Sequence, residues 1–185
     1  IEVFGAHNLN NLAGAKWICQ HMGIDEDDFY EAIATFKGAS KRLEKIAESK
    51  TSVAYKDFAH SPSKVEATTK AVKEQYENRT LVACLELHTY SSLNAAFLKE
   101  YKGALDAADV AVVFYSPHVV EIKKLEKVTH EQIARAFERD DLIIYTNPDD
   151  FKNFLFSQDF SNKALLLMSS GNYGGLDFAE VKNLI

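Results

Sequence analysis

No G-x-x-x-x-G-K-S/T loop occurs in the 185 residues, so no segment can wrap nucleotide phosphates as a P-loop does. No G-x-G-x-x-G occurs either, since Gly171-Asn172-Tyr173-Gly174-Gly175 has a different spacing. Structural zinc spacing of Cys and His is missing, as is the G-x-S-x-G elbow. These absences exclude a self-sufficient kinase, dehydrogenase or serine hydrolase, and no residue is expected to ligate a metal. No apolar run is long enough to span a bilayer and nothing resembles a signal peptide, so a cytoplasmic protein without a membrane partner is expected. Cysteine is scarce: Cys19 and Cys84 lie far apart in apolar stretches and read as reduced core thiols. Positive charge is also short. The net charge of -6 speaks against nucleic acid or an anionic membrane as partner, while leaving room for a local basic pocket. An initiator Met is absent, and the first residues read as the middle of a motif, so an excised fragment is expected.

What is present reads as an ordinary globular protein, 46% hydrophobic and 26% charged, with room for one core and a small appendage. Four nearly continuous apolar runs stand out: Leu81 to Leu87, Val110 to Tyr115, Leu142 to Tyr145 and Ala164 to Met168. Such runs predict strands covered on both faces. Helical segments separate them. Ser61-Pro62 starts one, Thr129 and Gln132 have capping-box spacing, Asn147-Pro148 opens another, and Asp177 caps the last. The alternation predicts an α/β fold, a three-layer, doubly wound and mostly parallel sheet. Ligands of such sheets sit beyond the carboxyl ends of the strands. That directs attention to His88 to Asn94, Ser116 to His118 and Ser169 to Gly175. Residues 7–22 and 26–36 read as two helices, the second capped by Asp25, and strands are expected at Arg42 to Ala47 and Ser52 to Phe58. A domain boundary is placed near Gly38. Residues 1–37 would be the helical end of a neighbouring domain, and 38–185 a domain of their own.

Three local patterns carry a resemblance. The first is Gly5-Ala6-His7-Asn8-Leu9-Asn10-Asn11-Leu12-Ala13-Gly14-Ala15. The second is Phe36-Lys37-Gly38 followed by Lys41-Arg42-Leu43-Glu44, and the third is Asp57-Phe58-Ala59-His60-Ser61-Pro62. In this order and spacing they resemble the Mur ligases, ATP-dependent enzymes that build the peptide stem of peptidoglycan. The resemblance implies that residues 1–37 end the central ATP-binding domain and that 38–185 form the carboxy-terminal one. It also implies that His7, Asn8 and Asn11 meet the adenine, that Arg42 meets the nucleotide, and that Asp57 holds the ribose hydroxyls. The chemistry is apt, because an amide both donates and accepts, a guanidinium suits phosphate or ribose oxygens, and a carboxylate accepts from two hydroxyls. The plain alternatives are helix capping for the asparagines and a solvent-facing strand arginine. His60 precedes a helix start, beside which the resemblance places the incoming amine and the transferring phosphoryl group. An orienting or electrostatic role is favoured for it, and Ser61 stands where many Mur ligases carry a second histidine.

The stretch Glu86-Leu87-His88-Thr89-Tyr90-Ser91-Ser92 resembles the P-H-x-Y/F-S/T-R-T of the Mur ligase that adds L-alanine to UDP-N-acetylmuramate. Thr89 and Ser92 replace its arginines and Leu87 its proline, which weakens the case for a free amino acid gripped by its carboxylate. Leu166 to Gly175 resembles the corresponding string of the ligase that attaches a preformed tripeptide, L-alanyl-γ-D-glutamyl-meso-diaminopimelate. Motif count leans to the tripeptide. The resemblance makes His88, Thr89, Tyr90, Ser91, Ser170, Gly171 and Asn172 acceptor-binding residues. ATP would phosphorylate the sugar carboxylate and the acceptor amine would displace phosphate, with ATP and Mg2+ held mostly by upstream domains, so this fragment alone is expected to be inactive. Two readings of other classes compete. A non-catalytic α/β binding module would scatter Asn8, Arg42 and Asp57 over the surface, and a small complete transferase would need another phosphate-binding device. Asp25 to Asp28 and Lys123-Lys124 read as helix-start acids and solvated charge.

Overall fold

The computed structural model describes residue 1 and residues 3–185. Six strands form one sheet in the order β1-β2-β6-β3-β4-β5. They are β1 (Glu44–Glu48), β2 (Val53–Asp57), β3 (Thr80–Glu86), β4 (Val110–Phe114), β5 (Ile143–Tyr145) and β6 (Lys163–Met168). Among the described residues only the β1–β2 pair is antiparallel; β2–β6, β6–β3, β3–β4 and β4–β5 pair in parallel. The apolar runs are therefore central strands, as expected. Alternate residues face opposite layers: Leu81, Ala83 and Leu85 of β3 enter one core, while Val82 and Cys84 enter the other.

The first core is covered by α3 (Pro62–Gln75), α4 (Ala95–Leu98), α5 (Pro117–Ile122) and α6 (His130–Phe137), through residues such as Val65, Leu98, Val120 and Ile133. The second is covered by α7 (Pro148–Ser157) and α8 (Phe178–Val181), through Phe151, Leu155 and Val181. Each such fully buried aliphatic or aromatic side chain contributes roughly 1.5–3 kcal/mol. The three layers and the double winding follow, because the chain crosses one face from β2 to β5 and returns on the other from β5 to β6.

Local chemistry sets the helix starts. Thr129 and Gln132 form the full capping box, and Asn147 accepts from Asp149 N and Asp150 N. Ser61 occupies the cap position of α3, with Pro62 in the first turn, although its side chain makes no capping bond. Some boundaries differ from expectation. The second helix, α2 (Glu26–Ile33), capped by Asp25, stops three residues early, and β1 begins at Glu44 because Leu43 has a left-handed backbone, φ 45°. Two short helices were not foreseen, α4 behind Asn94 and α5 behind Ser116-Pro117.

The first helix, α1 (Ala6–His21), has no buried residue and exposes Leu9, Trp17 and Ile18, with Met22 exposed just past its end. It is tied down at its start. Gly5 has φ 86°, and a Cβ there would come within 2.7 Å of Ala71 Cβ on α3. Cys84 is buried, which pushes its thiol well up, whereas Cys19 on α1 is half-buried and belongs to neither core. No helix among the described residues is long and apolar enough to cross a membrane.

Candidate functional site

Strand register brings the carboxyl ends into one row. Asp57 pairs with Met168, Leu85 with Met168, Glu86 with Phe114, and Phe114 with Tyr145. The start of β1, antiparallel to β2, reaches the same edge, since Glu44 pairs with Lys56. Two structures are built along this row.

The first is a cleft of about 730 Å³ between α1, the 39–42 turn and the first two turns of α3. Its volume is that of a small-molecule site. His7, Asn8, Asn11, Arg42 and Asp57, distant in sequence, all line it. His7, Asn8 and Asn11 share one face of α1 by helical spacing. Asn8 donates one amide N–H to Phe4 O at 2.9 Å, and no hydrogen bond to its side-chain oxygen is found among the described residues. Asp57 is 7% exposed. Its Oδ2 accepts from Leu43 N and its Oδ1 from Ala59 N, both at 2.6 Å, while Phe58 N donates to Lys41 O at 2.9 Å. Asp57 therefore has a task that the sequence did not announce. It holds Leu43 in its left-handed conformation and so fixes the neighbouring Arg42, whose guanidinium lies 5.6 Å from the Phe58 ring, at the cleft. Ser63, Lys64 and Thr68 also line it. They escaped sequence reading, although Ser61-Pro62 marks a helix start and i, i+4 spacing from Lys64 points to Thr68. The first turn of α3 thus offers an ammonium and a helix N-terminus to an anion.

The second structure is a chain of hydrogen bonds along the strand ends. His60 does not line the cleft; its Nδ1 lies 2.8 Å from Phe58 O. A carbonyl can only accept, so Nδ1 carries the proton and Nε2 of the neutral ring is left as an acceptor. The His60 carbonyl accepts from the Tyr101 hydroxyl, which also meets Ser92. Burial, against a smaller opposing effect of Ser92, pushes the Tyr101 phenol up to about 12. Ser92 in turn bonds Thr89 through both backbone and hydroxyl, and Thr89 Oγ1 lies 3.2 Å from Ser91 Oγ. Tyr90 points outward, 62% exposed, with Lys123 Nζ 4.0 Å from its ring centroid. His88 and Gly171 meet at Glu86. His88 Nδ1 is 3.4 Å from Glu86 Oε1, and a Cβ on Gly171 would lie 2.8 Å from Glu86 Oε2 and 3.0 Å from His88 Nδ1. Ser170 Oγ is buried without a partner among the described residues, and Asn172 is exposed on the same turn.

Sequence reading missed Tyr101 and Glu86, which hold this chain together. Glu86 had a legible signal, an acid at the end of an apolar strand; Tyr101 had none. The described residues contain no group of three or more His, Cys, Asp or Glu placed to hold a metal.

Known proteins share both the sequence pattern and the fold. The UDP-N-acetylmuramate–L-alanine ligase of Lactococcus lactis subsp. lactis is 27% identical over 189 residues, covering 100% of this chain and 40% of the relative. That of Gloeothece citriformis is 32% identical over 153 residues, covering 80% of this chain and 30% of the relative. The chain thus spans less than half the length of either. Among solved structures, the UDP-N-acetylmuramate–alanine ligase of Thermotoga maritima superposes with a TM-score of 0.67 at 18% identity, over 98% of this chain and 37% of its own. A murein peptide ligase from Psychrobacter arcticus gives 0.65 at 20%, over 98% and 38%. These two show the fold. Residues 41–171 match the family model described as Mur ligase, glutamate ligase domain, and the chain belongs to that family.

Proposed function

We propose that the chain is the nucleotide-closing and acceptor-binding domain of an ATP-dependent amide ligase that joins a peptide to UDP-N-acetylmuramate in peptidoglycan synthesis or recycling. The observation that carries this reading is the convergence of His7, Asn8, Asn11, Arg42 and Asp57 on one cleft. A binding module without catalytic heritage has no reason to gather them. In this reading Asn8 and Asn11 face the adenine, Arg42 and Lys64 its phosphates or ribose, and Asp57 fixes the turn that carries Arg42. Residues 1–37 are the end of the central ATP-binding domain, and the exposed apolar side chains of α1 are its contact with the rest of that domain. The family match from residue 41 agrees with this division.

ATP is a substrate that phosphorylates the sugar carboxylate, and the acceptor amine then displaces phosphate. Catalysis on this side is positioning: the domain closes over the nucleotide and presents the acceptor. In this reading Mg2+ is held by the upstream domains, and the isolated chain is expected to have no turnover. The protein is cytoplasmic, where nucleotide and UDP-sugar are available.

A peptide acceptor is favoured by the strand-end loop, in which Thr89 and Ser92 bond each other and supply no guanidinium for a lone amino-acid carboxylate. L-Alanine is the second reading, favoured by the names of the sequence relatives. Phosphate release by the full-length protein, given ATP and UDP-N-acetylmuramate with either acceptor, decides between them. Release with the tripeptide alone is the expected result; release with L-alanine alone reverses the assignment, and release with neither ends the ligase reading.

A further inference from the structure

Glu86 closes β3 and is 3% exposed, yet among the described residues its one ion-pair partner is His88. A buried carboxylate is costly unless its oxygens are satisfied. Here they are divided between two clients. Oε2 accepts from the Ser169 hydroxyl and from Tyr173 N at 2.9 Å. Because Ser169 has one proton, given to Glu86, its oxygen accepts from Gly171 N at 2.6 Å. The turn after β6 is thus pinned to the end of β3, and the absence of a Cβ at Gly171 lets it approach. Oε1 is left for His88 Nδ1, at 3.4 Å.

A carboxylate accepts and does not donate, so it selects the His88 tautomer protonated on Nδ1. Nε2 of the same half-exposed ring is then an acceptor. On the neighbouring turn the Ser170 hydroxyl is buried and has no hydrogen-bond partner among the described residues. An accepting ring nitrogen beside a buried carboxylate suits a ligand that arrives with N–H donors. A primary ammonium is such a ligand; a carboxylate is not.

We infer that Glu86 is a positioning residue for the acceptor's amine, acting through His88 and the Ser169–Tyr173 turn. The inference rests on the ligase reading above. It locates the acceptor's amino end at the ends of β3 and β6, and it leaves the acceptor's carboxylates to be met elsewhere.

The test uses the full-length protein with ATP, UDP-N-acetylmuramate and a varied acceptor. Wild-type turnover comes first, because its absence would refute the ligase reading itself rather than the role of Glu86. Glu86→Gln keeps size and an accepting oxygen but turns an N–H donor toward His88. Acceptor kcat/KM is expected to fall roughly tenfold or more, with the KM of ATP and of UDP-N-acetylmuramate within about twofold of wild type. In a His88→Gln background the same replacement should cost little, since the two residues act as a unit. Equal losses for all three substrates, or full additivity with His88→Gln, would reduce Glu86 to a structural role and overturn the inference. Unchanged acceptor kinetics would do the same. Should Glu86→Gln fail to fold, Ser169→Ala loosens the same carboxylate without changing its charge; an acceptor-selective loss then supports the inference and unaltered acceptor kinetics overturn it.

Discussion

At the cleft, Asn11 and Arg42 stand exposed on a rim whose helix, α1, buries nothing, whereas at the strand ends Glu86, Ser169 and Tyr173 are buried and bonded to one another. Both sites lie at the same sheet edge. The difference is in what holds them. The strand-end cluster is preorganised by the sheet register and keeps its geometry from within. At the cleft the buried polar group is Asp57, which holds the turn that carries Arg42, while the amides of Asn8 and Asn11 lie on a helix without a buried residue. Preorganised groups contribute to binding without paying an ordering cost at the time; loosely held ones gain their full effect when a second wall closes over them. The contrast can be broken at three kinds of residue: the buried pin of the cleft, the hydroxyl that links His60 to the strand-end loop, and an exposed rim amide.

The largest effect is expected at the pin. Asp57→Ala removes two charge-assisted hydrogen bonds to backbone N–H groups, leaves those groups buried, and frees Leu43 from a backbone conformation that a branched side chain resists. The expected loss is roughly 3–5 kcal/mol in denaturant unfolding. Asp57→Asn, which keeps an accepting oxygen for one N–H, should lose about half as much. If Asp57→Ala costs less than about 1 kcal/mol, the cleft is not held by this residue and the contrast fails on its better-supported side.

Much of this was legible beforehand, and the failures have physical causes. Central strands showed themselves because burial on both faces leaves no room for polar alternation, and helix starts showed because caps are local chemistry. The five cleft residues were found through a resemblance, not through periodicity. What the sequence could not show is partner choice across long separations. Asp57 reads as a ligand-facing carboxylate until Leu43, 14 residues earlier, is seen to take one of its oxygens. Tyr101 reads as one more core aromatic, and its hydroxyl finds the His60 carbonyl 41 residues away. Short helices such as α4 and α5, of 4 and 6 residues, carry too little periodicity to be read.

Tyr101 is the link, and its loss should be intermediate. Tyr101→Phe leaves the His60 carbonyl without its donor and should cost about 1–2 kcal/mol at neutral pH. The pH dependence gives a second signature. The phenol is raised from an ordinary 10.0 to about 12 by burial, so the fold favours the protonated form. Its contribution is therefore complete below about pH 10 and is lost as pH rises toward and through 12. Other buried phenols, Tyr55 and Tyr173, are raised as well and destabilise the fold in the same direction at high pH. Between pH 10 and 12 the variant should lose stability less steeply than the wild type, measured as the slope of unfolding free energy against pH. Parallel slopes would show that Tyr101 ionises as freely in the fold as in the open chain.

The smallest effect on stability, and the sharpest on the contrast, is expected at the rim. Asn11 is exposed on α1, and no hydrogen bond of its side chain is found among the described residues. Alanine is also the better helix former, by a few tenths of a kcal/mol. Asn11→Ala should therefore leave unfolding unchanged within about 0.5 kcal/mol or stabilise slightly. If the residue meets the nucleotide base, the full-length protein should nonetheless lose roughly three- to tenfold in apparent affinity for ATP, the worth of one neutral hydrogen bond. KM for the acceptor should stay put, because the strand-end cluster shares no bonded group with Asn11. A pin whose removal costs stability and a rim amide whose removal costs only nucleotide affinity would separate the two means of construction. Equal ATP affinity in the variant would leave α1 as a scaffold and move base recognition to the α3 side of the cleft, where Lys64 and Thr68 stand.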